Sequence, residues 1–294
     1  MWPAGTHEST LKTMAIGPRA SAELRSHQEW VRTRQTLMSA AHQPLILTYH
    51  SISAGRPPLA VSPSLFAEQM EWLSRNARVV PLEIVTDPLK RHQPLPTRTV
   101  VLTFDDGYRD FYTDAAPHLG RYGFPATVFL TTGYCGETNS WPGQPSWVEE
   151  KSLLTWQQIK ELAGQGVHFG AHSVTHPDMT SLSVPGAEQE MAESKREVER
   201  KIGQAVEFFC YPYGRWNPAV RNLVSRYFSG ACSTAAGAVE PDADPFALPR
   251  VDAHYLRHPA RFRSLFTRRF LGYLALRRAI RRLRNQPEGI YSKS

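Results

Sequence analysis

Two groups of residues in this chain have the types and spacing that chemistry needs. Thr103-Phe104-Asp105-Asp106-Gly107 sets adjacent carboxylates after the apolar run 99–102, and His172-Ser173-Val174-Thr175-His176 sets two imidazoles four positions apart. Neighbouring acids that are partly buried repel each other when both ionise, so a positive group beside them is the economical account, with a metal ion the first candidate. Two imidazoles at that spacing reach one ion at about 2.0–2.1 Å, and one carboxylate completes the open two-His, one-acid set of a catalytic site. Each motif also has a plainer meaning. Asp-Asp-Gly is a common turn, and His-x-x-x-His can be two unrelated loop residues.

The flanking pattern favours chemistry. The β-branched run 99–102 reads as a buried strand ended at Gly107, and 167–171 reads as a strand running into His172. Both motifs therefore fall at the carboxyl ends of strands, where parallel sheets present functional loops on one rim. Further strands are predicted at 44–49, 79–80, 126–131, 208–211, 231–234 and 248–251. Helices are predicted from Pro63 through Leu73, over 108–119 with Gly120 and Gly123 as stops, from the capping-box candidate Thr155 through Leu162, over 188–202, and from Asn217 through Tyr227. A polar extension, 1–42, contains one possible helix over 21–41, and 133–151, rich in Gly, Pro, Trp and Ser, reads as a long loop over the strand ends. Strand–helix–strand repetition predicts an α/β fold with a parallel sheet.

Composition narrows the rest. With 294 residues, 41% of them hydrophobic, the chain can bury a large core, and no window approaches the roughly 18–20 apolar residues that span a bilayer. Three widely spaced cysteines, Cys135, Cys210 and Cys232, argue against a disulfide framework, and none lies near another as a ligand pair. The first residues lack the layout of a secretory signal, which predicts a cytoplasmic placement. The net charge of +7 is local: residues 261–284 hold nine arginines and no acid, and setting these aside leaves −2. The body is thus close to neutral, which speaks against nucleic acid as a partner. In the tail, Phe262, Phe266, Phe270, Tyr273, Ile280 and Leu283 recur at helical spacings. That pattern suits an aromatic face packed on the domain with solvated arginines, or a basic amphipathic helix in peripheral contact with an anionic membrane.

Taken in order, Thr-Phe-Asp-Asp-Gly (103–107), His-Ser-Val-Thr-His (172–176) and Tyr-Pro-Tyr-Gly (211–214) resemble the polysaccharide deacetylases with a NodB-like domain, carbohydrate esterase family four. The resemblance implies a distorted (β/α) barrel over residues 43–260, flanked by the extension 1–42 and the basic tail 261–294. It implies metal-assisted removal of acetyl groups, usually N-acetyl, from an amino-sugar or polysaccharide. Asp106, His172 and His176 would hold a divalent metal, usually zinc, Asp105 would be the general base, and the backbone N–H of Tyr213 would face the oxyanion. Two departures matter. Cys210 stands where the family often has an arginine, so Arg250, in Leu-Pro-Arg-Val, becomes the candidate to orient Asp105. The usual C-terminal Leu-x-His is absent, and 46–50, Ile-Leu-Thr-Tyr-His, resembles the permuted poly-N-acetylglucosamine deacetylase subgroup, making His50 the candidate acid. Other functions compatible with the residues are a glycan-binding protein on the same fold with weak or no turnover, and a hydrolase of phosphate esters, although one acid-rich motif under-supplies a two-metal site.

Overall fold

The structure, a computed structural model, describes residues 43–55 and 58–283; the helix predicted over 21–41 lies outside them. Ten strands follow in order: β1 (Leu45–Tyr49), β2 (Ser51–Ile52), β3 (Ala60–Val61), β4 (Arg78–Val79), β5 (Thr99–Phe104), β6 (Thr127–Leu130), β7 (His168–Ala171), β8 (Phe208–Cys210), β9 (Gly230–Ala236) and β10 (Leu248–Asp252). Seven are joined in parallel in the order β1-β10-β9-β8-β7-β6-β5, and β5 pairs back onto β1 with Leu45 opposite Val100 and Tyr49 opposite Phe104, which closes a barrel. β4 adds a short parallel pairing beside the start of β5, and β2 with β3 forms a separate two-stranded sheet.

Closure explains why β1 (LILTY) and β5 (TVVLTF) are continuous buried runs, since strands with both faces covered need no polar side. The two-residue period still sorts the side chains. Leu45, Leu47, Leu102, Phe104, Val128 and Leu130 join the core under the helices, whereas Ile46, Val101, Phe129, Phe208 and Leu248 form a second cluster inside the barrel. Gly170 is required there, because a Cβ would stand 2.4 Å from the Phe129 ring. Further along the same inward rows the residues turn polar: Thr48, Thr103, Asp105, Cys210 and Arg250, all buried.

The helices are α1 (Pro63–Asn76), α2 (Glu83–Lys90), α3 (Ala116–Tyr122), α4 (Trp156–Gly164), α5 (Val184–Ile202), α6 (Pro218–Tyr227), α7 (Pro259–Phe262) and α8 (Arg268–Leu283). α4 opens on the Thr155–Gln158 capping box. The predicted helix over 108–119 is corrected: Tyr108 bridges to Leu153, Phe111–Ala115 is a wide π turn, and only α3 is α-helical, ending at Gly123 rather than Gly120. Pro117 lacks an N–H, so a regular helix cannot run through it. α5 starts at Val184, four residues before the predicted 188, because Ser183 caps it and Pro185 sits in its first turn. α2 is not among the helices the sequence predicts; Val85 and Leu89, four apart on one face, pack with Val80 and Leu82 onto the apolar cluster inside the barrel.

In the basic tail, Phe262, Leu265, Phe266, Phe270 and Leu274 are buried in the main core, while Leu276 and Ile280 face outward at 59% and 38% exposure. Ile280 is thus off the packed face where its spacing had placed it. Several arginines lie over aromatic rings, Arg261 on Tyr273 at 4.6 Å and Arg277 on Tyr255 at 4.3 Å. Among the described residues no helix is long and apolar enough to cross a membrane.

Candidate active site

The residues singled out by the sequence come from four strand ends and one strand interior: His50 follows β1, Asp105 and Asp106 follow β5, His172 and His176 follow β7, Tyr213 follows β8, and Arg250 lies within β10. Asp106, Ser173, His176 and Tyr213 all take φ between 58° and 68°, four of the six described non-glycine residues with positive φ. Each costs on the order of 1–3 kcal/mol, so their clustering marks a rim whose geometry is imposed by its surroundings.

Asp106, His172 and His176 converge. Asp106 Oδ1 stands 3.4 Å from His172 Nε2 and 3.5 Å from His176 Nε2, and the two Nε2 atoms are 3.2 Å apart. Ligands at about 2.0–2.1 Å from a tetrahedral ion lie about 3.3–3.4 Å from one another, so this triangle has the size a small divalent cation needs. Both Asp106 oxygens are buried and make no hydrogen bond of good geometry, although Oδ1 lies within ion-pair range of both imidazoles. A buried carboxylate so poorly hydrogen-bonded is costly, and a cation in the triangle would lower the cost. The imidazoles fit as well. His172 Nδ1–H donates to the Cys210 carbonyl at 2.7 Å, which turns Nε2 into the triangle; burial opposes protonation of this ring, but Cys210 and Asp106 outweigh burial and raise it well above the ordinary imidazole range, so a cation would displace the Nε2 proton. Burial and the neighbouring His172 push His176 down to about 3, leaving it the neutral imidazole that metals bind. Its ring is held by Trp141 at 4.5 Å and by Tyr213 at 4.6 Å.

Asp105 is bound differently. Burial alone would raise its carboxyl, but Arg250 outweighs burial and holds it well below the ordinary carboxylate range. Arg250 Nη1 and Nη2 donate to Oδ1 and Oδ2 at 2.8 and 2.6 Å, Nε donates to the Ser233 carbonyl at 2.9 Å, and Nη2 also approaches Cys210 Sγ at 3.1 Å. His50 Nε2 lies 4.0 Å from Asp105 Oδ2, on a residue 6% exposed.

Cys210 corrects one expectation. The cysteines are distant along the chain, yet parallel register sets Cys210 opposite Cys232, and Cys210 Sγ lies 3.5 Å from Asp105 Oδ2. Asp105, His172 and Cys210 thus make a second cluster of ligating atoms. It is the poorer metal site: burial pushes the thiol up to about 11, and the Arg250 guanidinium occupies its flank.

Tyr213 has φ 58° inside the Pro212–Gly214 turn, and Gly214, at φ 68°, packs so closely that a Cβ would stand 2.0 Å from Thr234 Oγ1. Burial pushes the Tyr213 hydroxyl up to about 12, so it stays protonated. Trp141, which covers His176, went unnoticed in the sequence, because the loop that carries it has no period to read. That loop is pinned by Asn139, whose Nδ2 donates to the Tyr108 hydroxyl at 3.0 Å and whose Oδ1 accepts from Lys151 N at 2.7 Å.

Comparison with known proteins agrees with this arrangement. A family model described as polysaccharide deacetylase matches residues 92–227. YxkH, a polysaccharide deacetylase-type protein of Bacillus subtilis (strain 168), is 32% identical over 225 residues, 76% of this chain and 74% of that protein. The poly-beta-1,6-N-acetyl-D-glucosamine N-deacetylase of Staphylococcus aureus (strain MRSA252) is 27% identical over 209 residues, 65% of this chain and 67% of that protein. Streptococcus pyogenes deacetylase PplD, solved in complex with acetate, superposes with a TM-score of 0.62 at 28% identity, over 71% of this chain and 92% of that one. IcaB from Ammonifex degensii shares the fold, with a TM-score of 0.65 at 24% identity, over 76% of this chain and 96% of that one. The barrel, the buried Asp-His-His cluster and these likenesses together make this chain a member of the polysaccharide deacetylase family, the NodB-like carbohydrate esterases of family four.

Proposed function

We propose that the chain is a zinc-dependent N-deacetylase of an acetylated amino-sugar polymer, in which Asp106, His172 and His176 hold the metal and Asp105, His50, Tyr213 and Arg250 serve the reaction. The observation that carries this reading is the adjacency of three unlike groups on one rim. A carboxylate without a well-formed hydrogen bond faces two imidazoles, a second carboxylate is held ionised by a guanidinium, and a third imidazole lies 4.0 Å from that carboxylate. A divalent cation bound by one carboxylate and two neutral imidazoles keeps a net charge near +1 and supplies Lewis acidity, polarising the acetyl carbonyl and lowering the pKa of water from 15.7 toward about 7.

The chain's own groups do the rest. Asp105, ionised at neutral pH, accepts the proton of the attacking water while Arg250 keeps both its oxygens in place. The Tyr213 N–H faces the oxyanion that forms at the former carbonyl, a contact typically worth about 3–4 kcal/mol in the transition state. As the carbon–nitrogen bond breaks, its electron pair stays on nitrogen, and His50 donates a proton so that a neutral amine leaves. The S. aureus relative, by its name, acts on poly-β-1,6-N-acetylglucosamine, which makes β-linked N-acetylglucosamine oligomers the first substrates to try.

The test is acetate release from such oligomers by the purified chain. Release should stop with chelator and return with zinc, and Asp105→Asn should slow it about 10²–10⁴-fold while zinc content stays whole. Zinc-loaded wild type that releases no acetate from any N-acetylated oligomer overturns the reading in favour of a glycan-binding role.

A second part of the reading concerns the tail. Arg268 and Arg269 are exposed beside Leu276 on the outer side of α8, a composition that suits peripheral contact with an anionic lipid surface. Sedimentation with anionic but not zwitterionic vesicles is the expected result; equal sedimentation with neither removes it.

A further inference from the structure

Next to His50 lies a polar cluster with no part in the reaction described so far. Lys151 Nζ donates to Ser51 Oγ at 2.6 Å, Ser53 Oγ at 2.5 Å and Asp110 Oδ2 at 3.0 Å, which uses all three of its protons. Asp110 in turn accepts from the Ile52 N–H at 2.9 Å through Oδ1 and from Ser51 Oγ at 2.5 Å through Oδ2. The cluster is largely shielded: Ser51 is 1% exposed, and the side chains of Lys151 and Asp110 are 21% and 13% exposed. A charge pair so withdrawn from water is poor value for stability alone, because desolvation offsets much of the attraction. What it does achieve is connection between three segments that the site depends on. Ser51 and Ile52 directly follow His50. Asp110 lies four residues after Asp106. Lys151 ends the loop whose Trp141 packs on His176.

The chain on either side of His50 is tied down. Its backbone is fixed on one side by Tyr49, whose carbonyl accepts from the Asp105 N–H at 2.9 Å, and on the other by Ser51 and Ile52 on Asp110. The strand β2 that follows is two residues long and pairs only with β3. Without the ammonium, Asp110 would be a shielded carboxylate short of a cation, and Ser51 and Ser53 would lose their shared donor.

We propose that Lys151, acting through Asp110, Ser51 and Ser53, is a positioning residue that sets where His50 stands relative to Asp105, so that the long loop and the proton donor are fixed together. The inference rests on the reading of His50 as the acid that protonates the leaving amine. It predicts a defect selective for reactions in which the leaving group needs that proton. An N-acetyl amide needs it; 4-nitrophenyl acetate does not, because its phenolate departs unprotonated.

The experiment compares turnover of N-acetylglucosamine oligomers with that of 4-nitrophenyl acetate in the full zinc-loaded chain carrying Lys151→Met, Lys151→Arg or His50→Ala. The amide-to-ester ratio should fall about 10–100-fold in Lys151→Met, the scale of a misplacement near 1 Å, and recover most of that in Lys151→Arg, which restores a cation with several donors. His50→Ala should lower the same ratio at least as far. If Lys151→Met does not fold, Ser53→Ala, which removes one acceptor of the ammonium, should lower the ratio in the same direction. Equal loss on both substrates, or a ratio unmoved by either Lys151→Met or Ser53→Ala while His50→Ala lowers it, overturns the positioning role. A ratio unmoved in His50→Ala overturns the acid assignment and this inference with it, and wild type without amide turnover overturns the proposed function itself.

Discussion

Arg250 grips Asp105 through two parallel hydrogen bonds, of 2.8 and 2.6 Å, inside a barrel where both residues are under 5% exposed. Two features make the pair hard to replace. Its planar fork matches both carboxylate oxygens at once, and its remaining Nε is committed to the Ser233 carbonyl, so the guanidinium cannot turn.

Removing the arginine should therefore cost about 3–5 kcal/mol, because Arg250→Met strands a buried carboxylate. The pH dependence follows from the direction of the Asp105 shift. Its folded value lies below the ordinary one near 3.9, so the pair's contribution is complete above about pH 4 and is lost only as pH falls through the depressed folded value. In Arg250→Met, burial without a partner raises the same carboxyl, and protonation on acidification relieves the strain earlier. The gap in Tm between wild type and variant, measured with chelator present, should be widest near about pH 7 and close on acidification. A gap that stays constant down to about pH 4 would show that charge is not the cause.

At Asp106, too, burial opposes ionisation, but here the His172 and His176 imidazoles rather than a guanidinium outweigh it and hold the carboxyl below its ordinary value. Zinc should raise stability by about 2.7 kcal/mol when free metal reaches about one hundred times its Kd, a shift in Tm of about 5–10 °C for a domain of this size. Asp106→Asn should abolish that increment, because it removes the one carboxylate of the ligand triangle. Calorimetric scans with and without zinc decide this. An Asp106→Asn protein that still gains the full increment would place the metal elsewhere.

The role proposed for Tyr213 is a backbone one, so side-chain and main-chain changes should separate. Gly214→Ala forces a Cβ into Thr234 and asks a substituted residue to hold φ 68°, which displaces the N–H of the residue before it. Turnover should fall about 10²–10³-fold in kcat with a much smaller change in KM. Tyr213→Phe keeps the N–H and should cost far less. If the two substitutions cost the same, the hydroxyl and not the N–H is the group that matters.

How much of this the sequence carried follows from what each feature depends on. β1 and β5 were legible because a closed barrel buries both faces of a strand, which writes itself as an unbroken apolar run. Asp106, His172 and His176 were legible because each motif is local and ends a strand. The proximity of Cys210 to Asp105 was not, since β8 and β5 are not neighbours in the sheet and the two residues meet across the barrel interior, which depends on closure and on which rows point inward. α2 was missed although Val85, Thr86 and Leu89 fall on one face, because it is only eight residues long and carries Pro88, and the π turn at Phe111–Ala115 because Pro117 breaks a pattern that otherwise reads as continuous helix. Trp141 had no signal beyond the composition of its loop.

The basic tail sharpens the same point into a prediction. Its aromatic spacing suits a face packed on the domain, and Phe262, Leu265, Phe266, Phe270 and Leu274 do share one core with Leu73 of α1 and Leu119 of α3. Phe270 is 1% exposed, so Phe270→Ala should cost about 3–5 kcal/mol through lost burial and the cavity left behind. Arg268→Ala and Arg269→Ala, both on the exposed side of the same helix, should each lie within about 0.5 kcal/mol of wild type. Urea unfolding of the three variants measures this directly. Comparable stabilities for Phe270→Ala and wild type would mean that α8 lifts from the barrel in solution and that the tail acts as an independent arm.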